Sequence, residues 1–188
     1  MSRRLLFVQG AGDGTHDDWD QRLVTSLAGH LGSGYAIRYP RMPAEDDPSF
    51  MRWAAVLREE IDALGAGAVL VGHSIGATIL VHFLAEEPPA HPPIGIFLIA
   101  MPYIGDGGWP SDEIISKPDL GSRLSPQSAV YLYHGDADEI VPDTHAHLNA
   151  RAIPQALLKI LPGRDHQLND DLSKVAADIL SLDARETV

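Results

Sequence analysis

Residues 69–81 read Val69-Leu70-Val71-Gly72-His73-Ser74-Ile75-Gly76-Ala77-Thr78-Ile79-Leu80-Val81. One serine stands between two glycines, with a short apolar run before it and a longer apolar run after it. A short continuous apolar run is typical of a strand buried on both faces, and the second run is helical in character. The segment therefore predicts a strand, a sharp turn and a helix, with Ser74 at the turn.

The pattern G-x-S-x-G in this segment has a physical basis. The turn strains the backbone of the serine and lifts its hydroxyl clear of the sheet. Neighbouring chain passes close on both sides, so small residues are needed at the positions that Gly72 and Gly76 occupy. In a chain with 17 glycines the bare pattern can arise by chance. Its place between a strand-like and a helix-like run favours a nucleophilic serine.

Composition limits the class of protein and the kind of partner. The chain has 188 residues, of which 45% are hydrophobic and 21% charged, as in a globular domain. Its formal net charge of −12 predicts repulsion from nucleic acid and from anionic lipid surfaces. The absence of cysteine excludes disulfides, a cysteine nucleophile and thiolate metal sites.

Localisation is expected to be cytoplasmic. The lack of cysteine fits a reducing compartment. No apolar segment has the length that spans a membrane, which makes a membrane partner unexpected. The apolar run at residues 5–8 is too short for the core of a signal peptide and is better interpreted as a first strand.

Strand-like and helix-like segments alternate along the chain, without repeats or a linker. The predicted strands are residues 5–8, 35–39, 68–71, 94–100, 129–134 and 156–161, and the predicted helices are residues 19–31, 50–64, 74–86, 142–151 and 168–182. Such alternation predicts an α/β fold, with about six mostly parallel strands and helices on both faces. We expect one domain over residues 1–188, with ligands bound beyond the carboxyl ends of the strands.

A serine nucleophile needs a base, normally a histidine that a carboxylate orients. His166 follows the last predicted strand, and Asp138 follows the strand before it. The order serine, aspartate, histidine is the one expected of a triad on such a sheet. Asp136 and Glu139 are alternatives to Asp138 as the acid of the triad. These acids could instead only shape the loop or cap the helix that follows it. His166 could be a surface histidine, but its place in the last strand-to-helix loop favours the base.

These motifs resemble those of the α/β-hydrolase superfamily along nearly the whole chain. The serine turn matches the superfamily's nucleophile elbow, and His134-Gly135-x-x-Asp138-x-x-Val141-Pro142 matches its acid loop. Gly163-x-x-His166 is similar to its histidine loop. The resemblance implies an α/β-hydrolase fold and favours Asp138 over Asp136 as the acid.

The start of the chain resembles a narrower group. Its small size and the opening Phe7-Val8-Gln9-Gly10, followed by Trp19, look like the compact serine hydrolases of the retinoblastoma-binding-protein-nine type. Many members of that group have no assigned substrate. Only residues 101–127 lie where many relatives insert a cap, so we expect no separate cap domain and a shallow, open site.

The resemblance also implies an oxyanion hole made of two backbone amides. Ile75, directly after the serine, is placed to supply one N–H. Many relatives carry His-Gly after the first strand where this chain has Gln9-Gly10, and the second donor is expected to be the N–H of the next residue, Ala11. A backbone donor does not depend on the side chain at position 9, so the departure does not indicate a loss of activity.

Other polar and aromatic residues have simpler interpretations. His73 is expected to pack or to form a hydrogen bond beside the turn. Trp19 is expected in the core, whereas Trp109, in an irregular loop, is the better candidate for an acyl pocket. His145 and His147 are two residues apart and so point about 200° apart on a helix, which makes them a poor metal pair.

The sequence therefore predicts a serine hydrolase with Ser74, Asp138 and His166 as its catalytic residues. The expected substrate is a small acyl compound, and an ester, thioester, lactone or small amide would suit this machinery. The chemistry requires no metal or organic cofactor. Acyl transfer to an alcohol or amine is an alternative reaction. A non-catalytic interaction module on the same fold is an alternative function, although the complete set of three groups argues against it.

Overall fold

Six strands form one parallel sheet within the part of the chain that the structure describes. The computed structural model describes residues 2–115 and 117–185, with the backbone alone for residues 183–185. The sheet has the order β2-β1-β3-β4-β5-β6, and all neighbouring strands run parallel. The strands are β1 Arg3–Val8, β2 Tyr35–Arg38, β3 Val69–His73, β4 Gly95–Ile99, β5 Ala129–Gly135 and β6 Leu157–Leu161.

Helices cover both faces of this sheet, as the alternating pattern predicts. They are α1 Asp20–Leu31, α2 Phe50–Leu64, α3 Ser74–Glu86, α4 Thr144–Ala152 and α5 Ser173–Arg185. The apolar faces of α2 and α3 pack on one side of the sheet, and those of α1 and α5 on the other. Successive residues of β1 alternate between these two layers, with Leu6 and Val8 facing α2 and α3 and with Leu5 and Phe7 facing α1 and α5.

The central strand β3 places the serine. All five of its residues are buried, and it runs directly into α3 at Ser74. The loops after β5 and β6 leave the same edge of the sheet, because every strand runs in the same direction. Ser74, Asp138 and His166 therefore meet at the carboxyl edge, where ligands bind in such sheets.

The structure contradicts the prediction for Trp19. A π-helical turn at Thr15–Trp19 precedes α1, and Trp19 is 48% exposed instead of lying in the core. Leu23, Leu27 and Leu31 share its helical spacing and are buried. The four-residue spacing therefore identified the right face of the helix, but it extended that face one turn too far.

The prediction that the last helix starts at residue 168 is also wrong. Leu168, Asn169 and Asp170 have φ values of 53°, 56° and 56°, in the left-handed region, and α5 begins at Ser173. The side chain of Leu168 is buried and falls in the period of the helix, which explains the false extension. The end of this helix, predicted at residue 182, lies at Arg185, and the other predicted boundaries agree with the observed ones or differ by one or two residues.

The connection between β4 and β5 stays close to the sheet. Its described residues, 101–115 and 117–127, form an irregular loop with one 3₁₀ turn at Leu120–Arg123, and no separate cap domain is present among them. Among the helices that the structure describes, none combines the length and the apolar character that crossing a membrane requires.

Candidate active site

The turn at Ser74 has the strained geometry that the sequence predicts. Ser74 has a φ of 51°, which non-glycine residues rarely adopt. A Cβ at Gly76 would lie 1.9 Å from the carbonyl oxygen of Gln9, and one at Gly72 would lie 2.7 Å from the Cα of Ala77. Both glycines are therefore required by close contacts of the backbone, on either side of the serine.

Three side chains meet at this turn in a continuous hydrogen-bonded row. Nε2 of His166 lies 3.0 Å from Oγ of Ser74, and Nδ1 of His166 donates to Oδ2 of Asp138 at 2.7 Å. With Nδ1 protonated, Nε2 of a neutral imidazole carries the lone pair that can accept the hydroxyl proton. The structure thus brings together the three residues that the sequence singled out.

Asp138 is held as an ionised acceptor. Its side chain is buried, and its Oδ1 accepts the N–H groups of Ile140 and Val141, each at 2.9 Å. Burial alone would raise the pKa of Asp138, but hydrogen bonds from His134, His166 and Val141 hold the pKa well below its ordinary value. His134 sits behind the carboxylate, with Nε2 2.7 Å from the carbonyl of Val141 and 3.3 Å from Oδ2.

The two rival acids lie elsewhere. Asp136 is exposed, and its Oδ1 accepts the N–H of Gly163 at 2.6 Å. Glu139 is exposed as well. Asp136 thus ties the loop after β5 to the loop after β6, while Asp138 reaches the imidazole. A Cβ at Gly135 would lie 2.0 Å from the carbonyl oxygen of Arg164, so the two loops interlock closely.

His166 is buried, and this burial affects its basicity. Desolvation is the largest influence and lowers the pKa of His166, whereas the hydrogen bond from its ring to Asp138 raises it in part. The nearby ring of His73 lowers it further, and the net pKa lies below the ordinary value of histidine. His166 is therefore neutral near pH 7 and able to accept a proton.

The loop after β1, residues 9–14, is fixed by Glu45, which the sequence reasoning did not identify. Oε2 of Glu45 accepts Nε2–H of Gln9 at 2.7 Å and the N–H of His16 at 3.1 Å. Its Oε1 accepts the N–H of Gly14 at 3.2 Å, and its backbone carbonyl accepts the N–H of Gly12 at 2.7 Å. Gln9, the residue that departs from the family pattern, is fully buried and anchors this loop.

A second carboxylate, Asp20, holds the same loop from the other side. Its Oδ2 accepts the N–H of Gly10 at 2.7 Å, and its Oδ1 lies 2.8 Å from Nδ1 of His73. The sequence carries a signal for it, because Asp20 lies three and seven residues before Leu23 and Leu27, on the apolar face of α1. A carboxylate at such a position predicts a buried acid with a partner.

The amides proposed for the oxyanion hole lie beside the serine. Ala11 and Ile75 both line the cleft at Ser74. Ile75 is the second residue of α3, where backbone N–H groups have no acceptor within the helix. Ala11 stands between Gly10 and Gly12, whose own amides are anchored by Asp20 and Glu45.

The cleft over Ser74 has a volume of about 460 Å³ and an apolar rim. Trp19, Trp109 and Ile140 line it and are 48%, 36% and 57% exposed. Trp109 thus lies where the sequence placed a pocket residue, and Trp19 joins it. Asp13 is the only Asp, Glu, Lys or Arg among the described residues of the lining. No group of three His, Asp or Glu side chains suited to a metal ion occurs in the described part of the chain.

Comparison with known proteins identifies the family. The sequence matches the alpha/beta hydrolase family over residues 5–180. The chain belongs to this family. Its parallel sheet of six described strands and the turn at Ser74 agree with the α/β-hydrolase fold that the motifs predict. Comparison with curated protein sequences gives no match.

Solved structures of similar fold cover nearly the whole of this α/β hydrolase. A serine hydrolase involved in carbazole degradation, the CarC enzyme, has a TM-score of 0.72 at 14% identity, with 96% of this chain and 92% of that chain covered. Est1E from Butyrivibrio proteoclasticus has a TM-score of 0.72 at 15% identity, with 97% and 89% covered. The esterase domain of a Rhodothermus marinus protein has a TM-score of 0.65 at 21% identity, with 98% and 86% covered. At these identities the likeness shows the fold.

Proposed function

We propose that this α/β hydrolase is a serine hydrolase that cleaves small esters through an acyl-enzyme intermediate. The observation that carries the proposal is the row from Ser74 through His166 to Asp138, with contacts of 3.0 Å and 2.7 Å. The row ends at a strained serine on the floor of an open cleft. A serine on such a turn, followed in the row by a buried histidine and a buried carboxylate, has a direct use in acyl transfer.

Acylation begins when Nε2 of His166 takes the hydroxyl proton of Ser74 as Oγ attacks the ester carbonyl. The N–H groups of Ala11 and Ile75 stabilise the oxyanion of the tetrahedral intermediate. His166 then gives its proton to the leaving alkoxide, which departs as the alcohol. Water repeats the sequence on the acyl-enzyme, with His166 again as base and then as acid, and releases the carboxylic acid.

Asp138 supports both halves of this cycle. It accepts Nδ1–H of His166, which keeps the lone pair on Nε2 toward Ser74. It also stabilises the imidazolium that forms in each transition state. The hydrogen bonds that keep the pKa of Asp138 low ensure that the carboxylate does not take the proton itself.

The lining of the cleft favours an uncharged substrate with an apolar or aromatic group. Two tryptophans face the space beside Ser74, and the only carboxylate in the described lining is that of Asp13. The backbone of Trp109 is fixed, since its N–H donates to the carbonyl of Tyr103 at 2.9 Å and its carbonyl accepts the N–H of Gly105 at 3.1 Å. An aromatic side chain on a fixed backbone can bind a flat group without a cost for ordering the loop that carries it. Substrates that carry a carboxylate would be repelled by Asp13.

Labelling with a fluorophosphonate tests the proposed nucleophile. The parent protein should be labelled, and Ser74→Ala and His166→Ala should not be. Ser111→Ala and His147→Ala, both at exposed positions outside the cleft, are the matched controls and should be labelled like the parent. A folded parent that takes no label would refute the enzyme proposal and favour the interaction module.

A substrate series tests the second half of the proposal. Neutral aryl acetates should be cleaved faster than the same esters with a carboxylate on the aryl ring. An acyl series should show rates that do not rise toward long chains, because the cleft is open and of limited volume. Rates that increase steadily with acyl length would contradict a small-ester hydrolase.

A further inference from the structure

A second histidine and aspartate lie directly behind the proposed triad. The side chains of His73 and Asp20 are 2% and 0% exposed, and Nδ1 of His73 lies 2.8 Å from Oδ1 of Asp20. The two atoms approach off the direction of the N–H bond, so the contact is an ion pair and not a linear hydrogen bond. The sequence predicted that His73 packs or forms a hydrogen bond beside the turn, but it did not predict Asp20 as its partner.

The remaining atoms of the pair define its protonation. Nε2 of His73 lies 3.1 Å from the backbone carbonyl of His166, which can only accept, so Nε2 carries a proton. Nδ1 faces a carboxylate oxygen, and two unprotonated atoms at 2.8 Å would repel each other. Burial opposes a charge on His73, but the charge of Asp20 and its contact raise the pKa of His73 above the ordinary value. The geometry and the charge both indicate an imidazolium beside a carboxylate.

The pair connects the two loops that the proposed mechanism uses. Oδ2 of Asp20 accepts the N–H of Gly10, one residue before the proposed oxyanion donor Ala11. At the other end, His73 donates to the backbone of His166. A Cβ at Gly10 would lie 3.2 Å from Nδ1 of His73 and 3.1 Å from Cβ of Ser74, so the loop after β1 packs directly on the pair and the nucleophile.

Several charged groups face His166 from the elements around it. The ring of His73, from β3, has its centroid 4.9 Å from that of His166. Asp138 follows β5, and Asp20 begins α1. The charge of His73 lowers the pKa of His166, and those of Asp138 and Asp20 raise it, with His73 ahead of Asp20 in size. The pair has no net charge, but its positively charged member, His73, acts on His166 more strongly than Asp20 does.

We propose that Asp20 and His73 form a buried ion pair that positions the oxyanion loop against the loop of the base and keeps His166 unprotonated through the charge of His73. This inference rests on the proposed serine-hydrolase function. Asp20 and His73 are positioning residues, since they act on the substrate through His166 and through the amide of Ala11. The pair also explains why a buried acid occupies the first position of α1.

Asp20→Asn is the decisive variant, because it removes the negative charge and leaves a side chain of the same shape. Without its partner, His73 becomes neutral and the pKa of His166 rises. The acid limb of the kcat/KM profile should then move to higher pH by about half a unit, and activity at a pH below both midpoints should fall about threefold relative to the optimum. Asp18→Asn makes the same change of charge at an exposed position and should leave the profile unchanged.

A nuclear magnetic resonance titration of ring nitrogens gives the same information without catalysis. In the parent, the midpoint at which His73 loses one of its two ring protons should lie above the ordinary value of histidine, and in Asp20→Asn it should lie below that value. The titration midpoint of His166 should rise in Asp20→Asn and in His73→Gln, the second variant for use if the first does not fold. A His73 midpoint at or below the ordinary value in the parent, or a midpoint of His166 that stays or falls in the variants, would overturn the proposal.

The two arms separate this inference from the proposed function. If the parent takes no fluorophosphonate but His73 is doubly protonated, the serine hydrolase is refuted and the ion pair stands. If the parent is active and Asp20→Asn lowers kcat without moving the acid limb, the pair has only a structural role, and the electrostatic part of the proposal is refuted.

Discussion

Replacement of Asp138 by asparagine tests the site most directly, because the structure determines how the amide must lie. Oδ1 of Asp138 accepts two backbone N–H groups, from Ile140 and Val141, so the amide oxygen of the asparagine takes that position. The amide nitrogen then faces Nδ1 of His166, where the parent has an acceptor. His166 is forced to accept there and to carry its proton on Nε2, toward Ser74.

An imidazole with a proton on Nε2 cannot take one from the serine. By analogy with the same substitution in a serine protease, we expect kcat/KM to fall by about 10³- to 10⁴-fold. This loss corresponds to about 4–5.5 kcal/mol of transition-state stabilisation. The amide nitrogen also meets Nε2–H of His134, which donates to the carbonyl of Val141, so no rotation of the asparagine satisfies all its neighbours.

The assay is steady-state hydrolysis of a neutral aryl acetate, with thermal unfolding to confirm that the variant is folded. Asp136→Asn is the matched control, because Asp136 is two residues away and bonds the N–H of Gly163 instead of the imidazole. Its rate should stay close to that of the parent. The reasoning is refuted if folded Asp138→Asn keeps more than about a tenth of the parent's activity, or if Asp136→Asn loses as much.

Three further predictions concern stability, pH and specificity. Gly76→Ala should lower the free energy of unfolding, measured by urea denaturation, by about 1–3 kcal/mol or more, because its Cβ would lie 1.9 Å from the carbonyl oxygen of Gln9. A variant as stable as the parent would contradict this close packing at the turn. The acid limb of the kcat/KM profile should have its midpoint below about pH 6.5, because burial lowers the pKa of His166 and activity is lost as the pH falls through that pKa. A midpoint above about pH 6.5 would be inconsistent with a buried His166. Trp109→Ala should reduce kcat/KM for aryl esters by about 5- to 30-fold, the effect of losing about 1–2 kcal/mol of aromatic contact, and should leave kcat/KM for methyl acetate unchanged. Equal losses for both esters would exclude a role of Trp109 in binding the aryl group.

The parts of the site that the sequence predicted are those set by short segments. The strain at Ser74 needs only its neighbours on a strand, a turn and a helix, and Asp138 and His166 follow strands that apolar runs reveal. The chain order and the parallel sheet then bring the three together. These positions therefore follow from local pattern and topology.

The residues that the sequence reasoning missed act between distant segments. Glu45 contacts a loop 29 to 36 residues earlier, and Asp20 pairs with a histidine on another strand. Such contacts depend on how irregular loops fold over the edge of the sheet, and the spacing of hydrophobic residues along the chain does not predict them. The predictions that Trp19 lies in the core and that the last helix starts at Leu168 were wrong for a related reason. Each residue keeps the spacing of the helix that follows it but lies before the first residue of that helix.

His166, the proposed base, reaches the candidate site from the edge of the sheet. β6 pairs with β5 alone among the described strands, and none of its five residues is fully buried, whereas all five of β3 are. The hydrogen bonds between β5 and β6, the strand before His166, can open while those of β3, the strand before Ser74, stay formed. The reason is that the free energy of local opening is lower for an edge strand than for a central strand. Amide hydrogens of β6 would then exchange sooner than those of β3. On heating, turnover would be lost before the cooperative melting of the whole molecule, and on cooling it would return when this last strand docks.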